Sequence, residues 1–512
     1  MTATDVVRPH SRNAPLPRRP MSWPWLVLGA ALLPFTTFQW VIPAAAWLAP
    51  ILLLRFARTQ RARVALPVLA VVGYGATLVA MSGTWSAPDR YLWALPGAGI
   101  VLSYGADAFT AGRLRGLART LTFPAVETAL SFLFALDQAS AFGSWGTPGY
   151  TQVTNLPLIQ VTSVTGVWGL SFLILWAAPV VNDLWEHGFD LRAARRVTVP
   201  FVIVLLGAVL YGGTRLALSP ATHPAVQMAA LAPDRELDEA RTAARVGPGP
   251  RTAAAREQQH AQHLAPVIDD LFDRTRRAAR GGARIVAWSE AAAFVFAEDE
   301  AAFLEQAVAV AREERIYLEV AFVVILPTTE YPSNENRSIL IDPDGAVRWD
   351  YAKATQVPGD GNALGSPILP VVDTPYGRLS VAICFDADFP WLVRQAGRAG
   401  VDVLLVPASD FGGIAPVHAD MAVVRAVENG VSVLRPTRLG RSIATDPHGR
   451  TLAVSDHATS DDQTMMAAVP TAGVATPYRV VGDAVGWASA GGVVVLLGLA
   501  ATARRRAVGT GP

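Results

Sequence analysis

The chain has 512 residues, more than one compact core ordinarily holds, so at least two units are expected. At 51% hydrophobic and only 17% charged, the composition excludes a wholly water-exposed protein and puts much of the chain in lipid. A net charge of +1 gives no case for a nucleic-acid partner, and a single cysteine, Cys384, rules out an internal disulfide.

Residues 1–20 are polar, carry Arg8, Arg12, Arg18 and Arg19, and read as a disordered cytoplasmic segment. Residues 21–54 hold no charged side chain. Pro34 and Pro43 interrupt that run, so it is expected to fold as a hairpin of two short helices, 23–37 and 40–55. Apolar stretches at 64–82, 91–109, 121–141, 163–182 and 198–216 complete a seven-helix transmembrane domain over 21–217. A further uncharged run within 481–503 makes an eighth span, followed by a cytoplasmic tail, 504–512. No cleavage-like end follows the first apolar run, so no signal peptide is expected.

Arginines cluster after the second span (Arg55, Arg58, Arg61, Arg63), the fourth (Arg113, Arg115, Arg119), the sixth (Arg192, Arg195, Arg196) and the eighth (Arg504, Arg505, Arg506). The alternate loops, 83–90 and 142–162, carry only Arg90. This bias puts both termini in the cytoplasm and residues 218–480 outside it. Glu127 and Asp137 fall in the fifth stretch; carboxylates in lipid are costly and often functional, although Asp137 also fits a place near the outer surface. Residues 143–150, with Trp145 and Tyr150, read as a turn-rich outer loop beside an opening toward lipid.

Residues 218–480 have globular composition. Strands are expected at 225–231, 284–288, 317–326, 337–342, 347–351, 379–384, 401–407, 431–435, 442–445 and 464–469, with a hairpin turn at Asp342-Pro-Asp-Gly345. Helices are expected at 252–280, 298–315, 391–399 and 418–429, the last ending at Gly430. Residues 243–251 read as a loop. The mixture implies an α/β domain with helices covering buried sheets.

Three polar residues close apolar strands here: Glu290, Lys353 and Cys384. A thiolate is the nucleophile, so a reactive thiol needs a proton acceptor, and a carboxylate in a desolvated site can serve. A lysine can stabilise a developing oxyanion. The same residues also fit a buried cysteine acting as a small hydrophobe and an ordinary Glu–Lys surface pair, and spacing alone does not make them converge. The eight histidines are scattered, and His260 with His263 reads as a helix surface, so no metal or cofactor is expected.

The segments Ala287-Trp-Ser-Glu290, Tyr351-Ala-Lys353, Tyr376-Gly-Arg-Leu-Ser-Val-Ala-Ile-Cys-Phe-Asp386 and Arg425-Ala-Val-Glu-Asn-Gly430 resemble the nitrilase, or carbon–nitrogen hydrolase, superfamily. The resemblance implies an αββα sandwich with Glu290 as general base, Lys353 as oxyanion stabiliser, Cys384 as nucleophile and the Phe385 N–H as a further oxyanion donor. With seven spans before this domain and one after it, the layout resembles the apolipoprotein N-acyltransferase family. Gly149-Tyr-Thr-Gln152, Gly166-Val-Trp-Gly169, Tyr478 and Gly482-Asp483 agree. That resemblance implies a phospholipid acyl donor, a Cys384 thioester, a diacylglyceryl-lipoprotein acceptor and a bacterial-type cell membrane. The chain departs from the family pattern in carrying Asp360 and Asp386 where glutamates are usual, and in a short segment between Lys353 and Cys384. A membrane-tethered amidase and a silent scaffold are the competing readings.

Overall fold

The computed structural model describes residues 22–82, 94–137, 143–219, 224–357, 359–460 and 462–508. The expected disordered segment 1–20, the loop residue Arg90, the ends of two expected spans (91–93 and 138–141) and tail residues 509–512 lie outside them.

Absence of charge and proline placement set the first hairpin. The helix Trp23–Leu32 tightens into a 3-10 turn, Leu33–Thr36, at Pro34, and the next helix, Pro43–Thr59, begins on Pro43. Four helices among the described residues are long and apolar enough to cross a membrane: Ala62–Ala80, Thr162–Glu186, Leu191–Ala217 and Ala484–Ala503. Trp23–Thr36 is a shorter apolar helix. Helices Ala94–Thr110 and Leu117–Leu136, with Pro43–Thr59, occupy the remaining expected spans. The last helix continues to Val508, so the tail expected from 504 starts as helix. Arg58 pairs with Asp107 at 2.7 Å and Glu186 at 3.2 Å, and Arg119 reaches Glu186 at 3.1 Å. Arginines read as topology signals thus also clamp four helix ends together.

Besides a two-stranded sheet, Ala408–Ser409 with Thr437–Arg438, the polar domain contains two large sheets. One runs in the order Thr464–Pro470, Ala225–Leu231, Ile285–Trp288, Tyr317–Ile325, Asn334–Ile341, Val347–Ala352, with Ala293–Phe296 and Asn362–Ala363 attached. The other runs Thr451–Asp456, Arg441–Thr445, Ser432–Arg435, Val403–Leu405, Gly377–Val381, Val371–Thr374. The central pairs of both sheets are parallel. Alternation along a strand decides which side each residue faces. Ile285 and Ala287 enter the core between the sheets, while Val286 and Trp288 meet Leu271 and Phe272 of the outer helix Ala265–Arg280. Leu392, Val393, Ala422 and Ala426, from helices Pro390–Arg398 and Ala415–Asn429, pack on the second sheet. The result is the four-layered αββα sandwich implied by the resemblance.

The long helix expected at 252–280 is present, with a π turn at His260–Leu264. Pro266 lacks an N–H, and the bulge lets the helix pass it. Gly430 ends the helix Ala415–Asn429 with φ +59°, as expected. The strand expected to reach Cys384 stops at Val381, and the strand before Glu290 stops at Trp288.

The domain is docked onto the membrane helices by buried polar contacts. Glu428 accepts from the Val167 N–H at 2.6 Å, and Trp168 donates to Asp483 at 2.9 Å. Tyr478 donates to the same Asp483 oxygen at 2.7 Å. Gly166 breaks the helix Thr162–Glu186 with φ +64°, and a Cβ there would lie 2.6 Å from the Tyr478 ring.

Glu319 is fully buried on the strand Tyr317–Ile325, where Ser338 donates to it at 2.5 Å and its second oxygen has no partner. Burial pushes its carboxyl up to about 8. A raised carboxyl costs stability as pH climbs from the ordinary 4.5 through about 8. Glu319→Gln is therefore expected to raise the melting temperature by several degrees above pH 8, with little change near pH 5, in thermal melts. An equal shift at both pH values would show that the charge is not the cause.

Candidate active site

Lys353 follows directly on the strand Val347–Ala352, so its side chain is delivered at the sheet edge. It is 2% exposed, and its ammonium lies 2.7 Å from Glu290 Oε1. Asn336 donates to the same oxygen at 2.7 Å, and the Ser409 N–H donates to Oε2 at 2.9 Å. Burial works against the ammonium, but the Glu290 carboxylate outweighs it and keeps Lys353 charged. Asp360 is 4.0 Å from the same ammonium.

Cys384 lies in a 3-10 turn, Cys384–Asp388, with φ +47°. An apolar run gives no sign that the ladder ends three residues early. The turn presents the thiol to the cavity, 6% exposed, with its sulfur 3.8 Å from the Ser409 carbonyl oxygen. The Ser409 peptide thus touches both the thiol and the Glu290 carboxylate. Burial pushes the thiol well above its usual range; Glu290 adds to this and Lys353 opposes it. At rest the sulfur is protonated and needs a base.

Asp386 accepts from five donors: Tyr351 OH (2.9 Å), Ala354 N (3.2 Å), Thr355 N (2.8 Å), Thr355 Oγ1 (2.7 Å) and Ile383 N (3.2 Å). These donors flank Lys353 on one side and Cys384 on the other. Phe385, in the first turn of the 3-10 helix, packs edge-on against Trp145 at 6.0 Å. All the expected site residues therefore sit together, with Asp386 beneath the site and the others, Glu290, Lys353, Asp360, Cys384 and Phe385, lining one cavity of about 370 Å³.

Sequence reasoning missed the other wall. Arg435 holds Asp410 through two bonds, 2.7 and 3.1 Å, and His418 Nδ1 sits 2.9 Å from the same carboxylate. The second ring nitrogen of His418 lies 3.1 Å from Asp388. Trp145 donates to that Asp388 oxygen at 2.5 Å. Burial opposes the imidazolium, but Asp388 and Asp410 outweigh it and push His418 up to about 9. Asp410 is held below the usual carboxylate range, because Arg435 and His418 outweigh its own burial. Ligand atoms of Cys384, Asp410 and His418 lie within 4.8 Å of one another. A guanidinium and an imidazolium already neutralise that carboxylate, which makes the group a poor cation site. No short-range signal joins Trp145 to Asp388, 243 positions away.

A second cavity of about 230 Å³ lies among the membrane helices, lined by apolar residues such as Leu33, Phe38, Ile100 and Leu130, with Glu127 in its wall. Trp145 lines both cavities.

The sequence matches the carbon–nitrogen hydrolase family over residues 242–477. It is 28% identical over 420 residues to an apolipoprotein N-acyltransferase of Geobacter metallireducens, covering 76% of this chain and 75% of that one. A protein of the same name from Bradyrhizobium diazoefficiens is 28% identical over 472 residues, 85% of this chain and 79% of its own. A deaminated glutathione amidase from Synechocystis sp. is 30% identical over 216 residues, 37% of this chain and 78% of the amidase. Among solved structures, the amidase from Nesterenkonia sp. AN1 in complex with butyramide overlays with TM-score 0.40 at 22% identity, covering 52% of this chain and 97% of that one. The chain is an enzyme belonging to the carbon–nitrogen hydrolase family. The similarity to the two apolipoprotein N-acyltransferases covers 76% and 85% of this chain, more than the polar domain alone.

The His418 pair contributes stability that is full below 6.5 and lost as pH rises through about 9. His418→Gln is expected to lower stability by about 3 kcal/mol at neutral pH and to flatten this alkaline loss. An unchanged pH slope in the variant's melting curve would refute the buried imidazolium.

Proposed function

We propose that this enzyme is a membrane N-acyltransferase. It moves an acyl chain from a phospholipid, through a thioester on Cys384, to the N-terminal amine of a diacylglyceryl-lipoprotein. The observation that carries this reading is a buried Cys–Glu–Lys cavity that shares one wall, Trp145, with an apolar cavity among the membrane helices.

In the first step Glu290 takes the thiol proton as the sulfur attacks the ester carbonyl carbon. Charge developing on the carbonyl oxygen faces the Lys353 ammonium and the Phe385 N–H. The ester C–O bond breaks, and Glu290 passes its proton to the departing lysophospholipid oxygen. In the second step the acceptor nitrogen attacks the thioester carbonyl, Glu290 takes an amine proton, and the C–S bond breaks. That proton returns to the sulfur. Both substrates carry acyl chains, and the apolar cavity offers a place for one across Trp145 from the cavity that holds the thiol. Asp386 and Asp360 act by position: the first locks the Lys353 and Cys384 segments together, the second adds negative charge beside Lys353.

The layout proposed with it is eight spans, seven over 21–217 and one over 481–503. The catalytic domain, 218–480, lies outside the cytoplasm and both termini inside, in a bacterial-type cell membrane. The arginine distribution supports this orientation.

In a strain lacking lipoprotein N-acylation, the chain is expected to restore that modification. Cys384→Ala and Glu290→Gln abolish the rescue, and Lys353→Met lowers the rate about 10²-fold or more. Failure to restore it, together with hydrolysis of small amides by the purified protein, would favour a membrane-tethered amidase. For orientation, a thiol label at Glu330→Cys, an exposed position, should react from outside intact cells. Reaction only from the cytoplasmic side would invert the layout.

A further inference from the structure

The apolar cavity among the membrane helices has one ionisable side chain among its described lining residues, Glu127, and the two steps above do not use it. The mouth of this cavity lies on the catalytic side. Ala80, Met81 and Ala135, at the ends of helices Ala62–Ala80 and Leu117–Leu136, cluster with Ile414 and Val417 of the catalytic domain, and Trp145 packs against them. Gly73, seven positions before Ala80, and Glu127, eight before Ala135, therefore lie about 10 and 12 Å further from that mouth. Ile100, beside Gly73, packs with Leu69 and Tyr104 in a separate cluster.

Between mouth and floor the walls are mainly apolar. Thr36 and Thr77 turn their hydroxyls back to the Leu33 and Gly73 carbonyls, at 2.8 and 2.9 Å. Gly99 faces Leu130, one turn nearer the mouth than Glu127, and a Cβ there would meet nothing closer than Leu130 Cδ1 at 3.9 Å. Glu127 itself keeps part of its surface open. Such a slot suits an alkyl chain, which gains with each methylene it buries until its methyl end meets the carboxyl. Covering that group strips it of water and supplies no hydrogen bond in return. We propose that this cavity sets the length of the transferred acyl chain, with Glu127 as its floor and Gly99 on its wall. Continuity with the thiol's cavity through Trp145 argues for the chain carried by Cys384 rather than for a bystander lipid. The proposal rests on the transfer reading and names the residues that set its acyl preference.

The test offers the full chain, in detergent micelles, an equimolar mixture of phosphatidylethanolamines whose saturated chains run from decanoyl to arachidoyl. Intact-mass spectrometry reads the acyl adducts on Cys384 at early times, and their ratios within one sample do not depend on how much of a variant folds. The wild-type chain is expected to form adducts up to one length and to fall off sharply beyond it. Glu127→Ala moves that limit to longer chains, raising the adduct two methylenes longer by about tenfold relative to the wild-type favourite. Glu127→Gln keeps a polar floor and keeps the limit. Gly99→Leu moves the limit to shorter chains, and Gly99→Ala moves it the same way by less. A wild-type profile without a limit, or a limit that either Glu127→Ala or Gly99→Leu fails to shift, overturns the proposal while leaving the transfer reading intact. So does a limit that shifts equally in Glu127→Gln and Glu127→Ala, because the floor would then not act through its polarity. A wild-type chain that forms no adduct with any of these lipids overturns the transfer reading, and the length limit with it.

Discussion

One buried carboxylate sets the geometry on which the rest depends. Asp386 gathers donors from the segment that carries Lys353 and from the residue before Cys384. The two segments belong to different sheets, so the side chain fixes the distance between the charge and the thiol. It also holds a turn in which Cys384 adopts a left-handed backbone conformation, one that costs a non-glycine residue about 1–3 kcal/mol. An aspartate fits this place because its short side chain reaches the backbone of residues 354 and 355 directly.

Around that anchor the site divides into two electrostatic halves. On one side Glu290 and Lys353 neutralise each other, with Asn336 and the Ser409 peptide satisfying the remaining carboxylate capacity. On the other, Asp410 and Asp388 hold an imidazolium, and Arg435 balances the charge. The thiol sits between them, uncharged. Trp145 closes the second half and couples the 143–150 loop to the turn that begins at Cys384. Arg425 and Glu428, paired at 2.8 Å, reach the same loop and the broken helix through Tyr150 and Val167. Catalytic domain and membrane helices are therefore one packed unit at the site.

Much of the fold was legible because its signals are local. The strand Ala225–Leu231 and the hairpin around Asp342 follow from apolar runs and turn residues, and most other boundaries shift by one to three positions. Several elements left no clear local mark, among them the edge strand Val371–Thr374. The strand Ala293–Phe296 is four residues long, Thr451–Asp456 is an edge strand with weak apolar contrast, and the polar helix Arg235–Ala243 resembles a loop. Glu290, Lys353 and Cys384 were readable as strand-end residues, but their convergence entered through family resemblance. The network of Asp388, His418 and Arg435 had no such help. Its members come from a turn, a helix and a strand that only the tertiary fold brings together. The motifs around Tyr150, Gly166 and Arg425, read first as family marks, are the contacts that seat the domain on the membrane helices.

The most direct measurement is the mass of the intact chain after incubation with a phospholipid of defined acyl composition. A gain of one acyl chain on Cys384, removed by hydroxylamine and absent in Cys384→Ala, is the expected result. A chain whose mass stays unchanged while the phospholipid is left intact would contradict the role assigned to that thiol.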